Sequence, residues 1–167
     1  MNKNYSKNKI SKRKPTRLRE FDYSSNGAYF VTICTKNKKM LFDLSNENSI
    51  VNKMIENSFI TVLNQYENVD SPIFVVMPNH FHAIITITKA DMESAPTISN
   101  IVQEFKRLST INYIKMVKCG LLPEFDKSIW QRSFHDHVIR NNQDYNEIYK
   151  YVSENPMRWE FDSLYVN

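Results

Sequence analysis

Apolar and polar positions change period several times along this chain, and the changes predict its elements. Ala28 to Thr35 (AYFVTICT) is dense in aromatic and β-branched residues and reads as a strand. From Glu47 to Gln65 the apolar residues recur at helical spacing, at Ile50, Met54, Ile55, Phe59, Val62 and Leu63. Pro72 to Met77 is a second strand, Pro78-Asn79 a turn, and His80 to Thr88 (HFHAIITIT) a third strand, so these two form a hairpin. After a polar connector, Ile98 to Val117 predicts a helix with Ile101, Phe105, Leu108, Ile111 and Ile114 on one face. Ser128 to Phe134 (SIWQRSF) reads as a fourth strand. Asn141 to Asn155 reads as a last helix stopped by Pro156. The order β-α-β-β-α-β-α predicts an α+β, ferredoxin-like core with an antiparallel sheet and an added C-terminal helix.

Composition narrows what such a fold can do. At 167 residues and 41% hydrophobic, the chain suffices for one globular domain, taken as residues 21–167. It has no run of the roughly 20 apolar residues that span a bilayer, and its polar start lacks a secretory apolar region, so a cytoplasmic protein without membrane contact is expected. Two glycines, Gly27 and Gly120, cannot build a phosphate-cradling loop, which excludes most nucleotide-dependent enzymes. Cys34 and Cys119 form no metal-binding or redox pair and read as small hydrophobes. Charge is uneven: residues 1–20 hold eight basic side chains against Glu20 alone, a net +7, whereas the other 147 residues carry 14 basic and 17 acidic ones. Such an arm is either a solvated tail or a phosphate contact through Lys12, Arg13, Lys14, Arg17 and Arg19.

Candidate chemistry lies on the third strand and the last helix. His80 and His82, two apart, leave the same sheet face, where two imidazoles can share a divalent ion; Phe81, Ala83, Ile85 and Ile87 take the opposite, apolar face. The bland alternative is a chance pair on a half-exposed strand. His135 and His137 form a second H-x-H just beyond the expected fourth strand, where a shared face is less secure; His137 is a candidate hydrogen-bond donor to a phosphate. No serine or cysteine sits in a glycine-framed elbow, which leaves tyrosine as nucleophile. Of Tyr145, Tyr149 and Tyr151, only Tyr151 has an oxygen ligand one turn on, Asn155, roughly 40° away around the helix. On periodicity alone Tyr151 reads as a packing residue before it reads as a nucleophile. Lys106 and Arg107 are candidate phosphate contacts or a solvated face, and Trp130 and Phe134 read as core before base-stacking groups.

VVMPNHFHAIITI resembles the histidine-hydrophobic-histidine (HUH) segment of the single-tyrosine transposases that act on single-stranded DNA, and YVSENPMRW resembles the Y-[IV]-x-x-N-P segment of their REP-associated branch. RKPTRLREFDYSSNGAYFVTICTKNK, PTISNIVQEFKRLST and IWQRSFHDHVIR follow in family order, so the likeness covers about residues 12–160. It implies His80 and His82 as metal ligands with Asn155, Tyr151 as nucleophile, Mg²⁺ or Mn²⁺ as cofactor, and hairpin-forming single-stranded DNA as partner. Asn155-Pro156 replaces the glutamine of insertion-sequence relatives, and Glu154 stands where replication initiators carry lysine. His135 stands where the pattern has an aromatic residue. The activity implied is cleavage and rejoining through a 5′-phosphotyrosine; the alternative is a domesticated hairpin-binding protein that does not cut. Monomer and homodimer with exchanged tyrosine helices both stay open.

Overall fold

The computed structural model describes residues 27–45, 49–88 and 96–166. Its elements run β1 (Gly27–Cys34), α1 (Ile50–Leu63), β2 (Val69–Met77), β3 (His80–Ile87), α2 (Ile98–Lys118), β4 (His135–Ile139) and α3 (Asn142–Glu154), followed by a 3₁₀ segment, Asn155–Phe161. The sheet order is β2-β3-β1-β4 with every pair antiparallel, which is the expected α+β arrangement. The basic arm, with Lys12, Arg13, Lys14, Arg17 and Arg19, lies outside the described residues. Among the described residues no helix is long and apolar enough to cross a membrane.

Period-two alternation divides the sheet into two unlike faces. Tyr29, Val31 and Ile33 of β1 and Phe81, Ala83, Ile85 and Ile87 of β3 are buried on one face, in the same cluster as α1 and α2. Phe59 is the hub, with ring centroids 4.8 Å from Phe81 and 5.3 Å from Phe105. Burying such a ring stabilises the fold by about 2–3 kcal/mol. The helices are also joined by Asn112 Nδ2, which donates to Ser58 Oγ at 3.0 Å. That contact marks a difference from the expected stripe: Ser109 and Tyr113 turn inward, whereas Ile111 and Ile114 are exposed. Gly120, at φ +71°, closes α2 with Gly120 N–H on Val117 O and Leu121 N–H on Met116 O, a Schellman turn that needs its left-handed backbone.

The fourth strand begins seven residues later than its apolar signal. Residues 128–134 are irregular, joined to the sheet by the Thr35–Trp130 bridge, and β4 runs His135–Ile139. Ile129 and Trp130 belong to the core, and Trp130 Nε1 donates to Ser109 Oγ at 2.9 Å, which settles its role as packing. Phe134 packs partly buried against the same cluster. Lys106 holds this segment: its ammonium donates to the carbonyls of Gln131 (2.9 Å), Ser133 (3.0 Å) and Arg132 (3.4 Å) and lies 5.7 Å from the Phe134 ring centroid. Burial pushes this ammonium down to about 8. Engaged by three carbonyls, this group is a tether for the approach to β4, and the phosphate contact expected of it would have to compete with them. Lys106→Met is expected to lower stability by about 2 kcal/mol, the worth of charge-assisted hydrogen bonds, visible as a lower urea midpoint. An unchanged midpoint would show that the tether is idle.

Candidate active site

The second sheet face carries the chemistry. The registers Cys34↔His80, Thr32↔His82 and Phe30↔Ile84 place both imidazoles beside even-numbered residues of β1, away from the α1–α2 core. α3 and the 3₁₀ segment cover that face, with Val152 fully buried beneath. His80 and His82 are buried with ring centroids 4.4 Å apart.

Each imidazole is oriented from behind. His80 Nδ1–H donates to Asn79 Oδ1 at 2.8 Å, and Asn79 Nδ2 in turn donates to Leu164 O at 2.9 Å. His82 Nδ1 meets Thr32 Oγ1 at 2.9 Å, and Phe30 packs on its ring at 5.0 Å. Asn79 Oδ1 can only accept, so His80 carries its proton on Nδ1 and its Nε2 lone pair is left free, the tautomer a metal ligand needs; Thr32 Oγ1 can accept from His82 in the same way. Asp162, from the turn after the 3₁₀ segment, completes a group with His80 and His82 whose ligand atoms lie within 4.8 Å of one another. His80 Nε2 and Asn155 Oδ1 are buried and, among the described residues, have no hydrogen-bond partner. Two imidazole nitrogens and a carboxylate, with a partnerless amide oxygen on the neighbouring Asn155, are a donor set that suits a divalent ion.

Tyr151 borders this group and is 41% exposed. Its hydroxyl donates to Asp162 Oδ2 at 2.8 Å and lies 3.3 Å from Nε2 of His82 in the same chain. Asn155 Nδ2 donates to the same carboxylate oxygen at 2.7 Å. Burial and the Asp162 carboxylate push the Tyr151 hydroxyl well above its ordinary 10, with Asn155 acting the other way. Burial pushes the Asp162 carboxyl up, but hydrogen bonds from Asn155, the Leu164 N–H and Tyr151 outweigh it and hold the group below its usual range.

Burial lowers His80 to about 4, and burial together with neighbouring His80 lowers His82 to about 3, against an opposing pull from Asp162. Both rings are therefore neutral donors near pH 7. An unfolded histidine takes its proton near 6.5, so between there and pH 4 the unfolded chain binds more protons than the native one. Stability contributed by the neutral pair is complete above 6.5 and is lost as pH falls. The urea midpoint of the metal-free protein is thus expected to drop steadily from pH 6.5 to 4, with a shallower slope in His80→Gln. A flat midpoint across that window would contradict the burial of neutral imidazoles.

Of the residues singled out in the sequence, His80, His82, Tyr151 and Asn155 come together. The second histidine pair lies on β4 itself, not beyond it: Thr32↔His135 and Phe30↔His137 put both on the face of His82. His135 lines a cleft with Phe30, Thr32, His82 and Tyr151. His137 is held by Asp144 at 2.9 Å, near the start of α3. Arg107 pairs with Glu104 and projects from α2, remote in its contacts from the site. Asp162 and Asn79 were not expected. Asp162 sits eleven residues after Tyr151, past a helix-stopping proline, where no periodicity reports position. Asn79 carried only a turn signal, although its place beside the first histidine was the available hint.

An antiparallel four-stranded sheet with H-x-H on a central strand and a tyrosine on a helix across it defines an HUH-type protein. Residues 23–155 match the family described as "Transposase IS200 like". The chain belongs to that family. It is 31% identical over 172 residues to an uncharacterized protein of Haemophilus influenzae, covering 95% of this chain and 96% of the relative. It is 27% identical over 140 residues to a REP-associated tyrosine transposase of Escherichia coli, covering 81% and 70% respectively. The solved structure of a REP-associated tyrosine transposase bound to a REP hairpin superposes with a TM-score of 0.59 at 24% identity, covering 87% of this chain and 75% of that one.

Proposed function

We propose that this protein cleaves and rejoins single-stranded DNA near hairpins, with Tyr151 as nucleophile and His80, His82 and Asp162 holding Mg²⁺ or Mn²⁺, Asn155 completing the set. The observation that carries this reading is the Tyr151 hydroxyl, 2.8 Å from Asp162 and 3.3 Å from His82 at the border of a two-imidazole, one-carboxylate group. When bound, the ion supplies Lewis-acid withdrawal of charge from a non-bridging phosphate oxygen.

The chain's own groups account for the proton. A phenol is protonated near neutral pH, and burial and Asp162 raise this one further, so proton loss must accompany attack, and Asp162 Oδ2 already accepts that hydrogen. The Tyr151 oxygen bonds to phosphorus, the bond to the 3′ oxygen breaks, and that oxygen takes a proton from solvent as a 3′ hydroxyl. Attack on the 5′-phosphotyrosine by the 3′ hydroxyl of a second end reverses the step without ATP. Hairpin DNA as partner is supported by the relatives' descriptions. The arm residues Lys12, Arg13, Lys14, Arg17 and Arg19 neutralise phosphates, with Arg107 and His137 as further candidates. A cytoplasmic location belongs to the same reading. Incubation of the full chain with Mg²⁺ or Mn²⁺ and an end-labelled single-stranded hairpin is expected to give a covalent protein–DNA band that resists denaturant. Binding without any such band would favour the non-cutting alternative.

A further inference from the structure

Tyr151 stands between two depressions. Its ring lines one with Phe30, Thr32, His82 and His135, over β1 and β4. It lines the other with Glu154, Asn155, Arg158, Phe161 and Asp162, along the 3₁₀ segment. A DNA strand whose phosphate meets the Tyr151 hydroxyl therefore has a place for a neighbouring nucleotide on either side.

The 3₁₀ side has a wall that the fold does not use. Trp159 of this segment turns inward, 5.8 Å from His80 and 5.2 Å from Tyr165. Met157 and Phe161 turn outward and are 82% and 87% exposed, far beyond anything packing requires. Between them stands Arg158, its side chain 70% exposed, making a 3.3 Å contact with Glu154, a carboxylate that Lys150 also approaches at 3.8 Å. A bare aromatic ring beside an exposed guanidinium, in one depression with the reacting hydroxyl, matches the two parts of a nucleotide: a flat base and an anionic phosphate. An apolar peptide would use Phe161 and Met157 and leave the arginine unmatched.

We propose that Phe161 and Arg158 form a subsite for one unpaired nucleotide next to the scissile phosphate, the ring stacking on the base and the guanidinium holding its outer phosphate. The inference rests on the DNA-cleaving reading above and adds the residues that position the strand. It also gives a reason for the exposure: the ring is covered only when a base is present.

The test uses the full chain and a set of single-stranded hairpins carrying one abasic site at each unpaired position around the mapped cleavage point. In the wild type, one position is expected to weaken binding on the order of ten-fold when its base is removed. Phe161→Ala should weaken binding to intact DNA by a similar factor, and the same abasic site should then cost nothing further. Phe161→Trp should restore the sensitivity, and Arg158→Ala should weaken binding and flatten its salt dependence. If every abasic site costs Phe161→Ala what it costs the wild type, the ring stacks no base and the subsite is wrong, even though wild-type adduct at Tyr151 leaves the cleavage reading intact. A wild type that neither binds nor cuts these hairpins removes the underlying reading and the subsite together. DNA binding unchanged in Phe161→Ala, with loss of a dimer in gel filtration, would assign the wall to a second copy and overturn the proposal.

Discussion

Tyr151→Phe is expected to lower covalent adduct formation and strand cleavage by roughly 10⁴-fold or more, the scale seen when a nucleophile is removed from an otherwise intact site. The substitution deletes one oxygen. What docks α3 survives it, because Val152 stays buried and the edge-on contact of the residue 151 ring with Phe30, at 6.0 Å, needs no hydroxyl. The hydrogen bond to Asp162 is lost, at a cost to folding of about 1 kcal/mol. Hairpin binding should therefore be retained while chemistry disappears. Tyr145 and Tyr149 stack on each other at 6.1 Å, and neither makes the Asp162 or His82 contact, so Tyr145→Phe and Tyr149→Phe should keep full adduct yield. Cleavage surviving in Tyr151→Phe would mean that another group attacks.

The second large effect concerns the histidines. His80→Ala or His82→Ala should abolish tight Mn²⁺ binding in calorimetry and reduce cleavage as severely as Tyr151→Phe, with the phenol still in place. Asn79→Ala should act more mildly, about 10- to 100-fold in metal affinity, because Asn79 holds the His80 ring and, through Leu164 O, the chain beyond Asp162, but supplies no ligand itself. Asn155→Ala should also be milder than either histidine change: it removes one oxygen and the hydrogen bond that Nδ2 gives Asp162, but leaves both imidazoles and the carboxylate. Both histidines are buried, so a truncated ring leaves a cavity, and the urea midpoint must be followed alongside. His80→Ala that folds, binds Mn²⁺ as tightly as the wild type and still cuts would remove this imidazole from the metal site.

How much of this was legible in the sequence depends on where periodicity operates. Period two put His80 and His82 on one face and Phe81, Ala83, Ile85 and Ile87 on the other, and both faces turned out as that spacing required. Period 3.6 joined Tyr151 to Asn155, which do share the Asp162 carboxylate. Asp162 itself escaped because the chain beyond Pro156 turns through an irregular 3₁₀ segment, and its return to the site follows from Trp159 packing on His80, not from a repeat. β4 was misplaced for the opposite reason. Ile129, Trp130 and Phe134 have strand-like composition but enter or flank the core as irregular chain, whereas the true edge strand buries only Val138 and gives almost no apolar signal. Ile111 and Ile114 continue the apolar count of α2 but lie off the face turned to α1 and the core, where Asn112 bonds Ser58 and Tyr113 is buried instead.

The central claim is that the Tyr151 oxygen becomes bonded to a DNA phosphate. Wild-type protein incubated with a single-stranded hairpin and Mn²⁺, then digested with protease and nuclease, provides the direct measurement by tandem mass spectrometry. The account predicts a nucleotide mass on the peptide containing Tyr151, localised to that residue and absent when the metal is chelated. A nucleotide carried by any other residue, or on Tyr151 regardless of chelation, would contradict it.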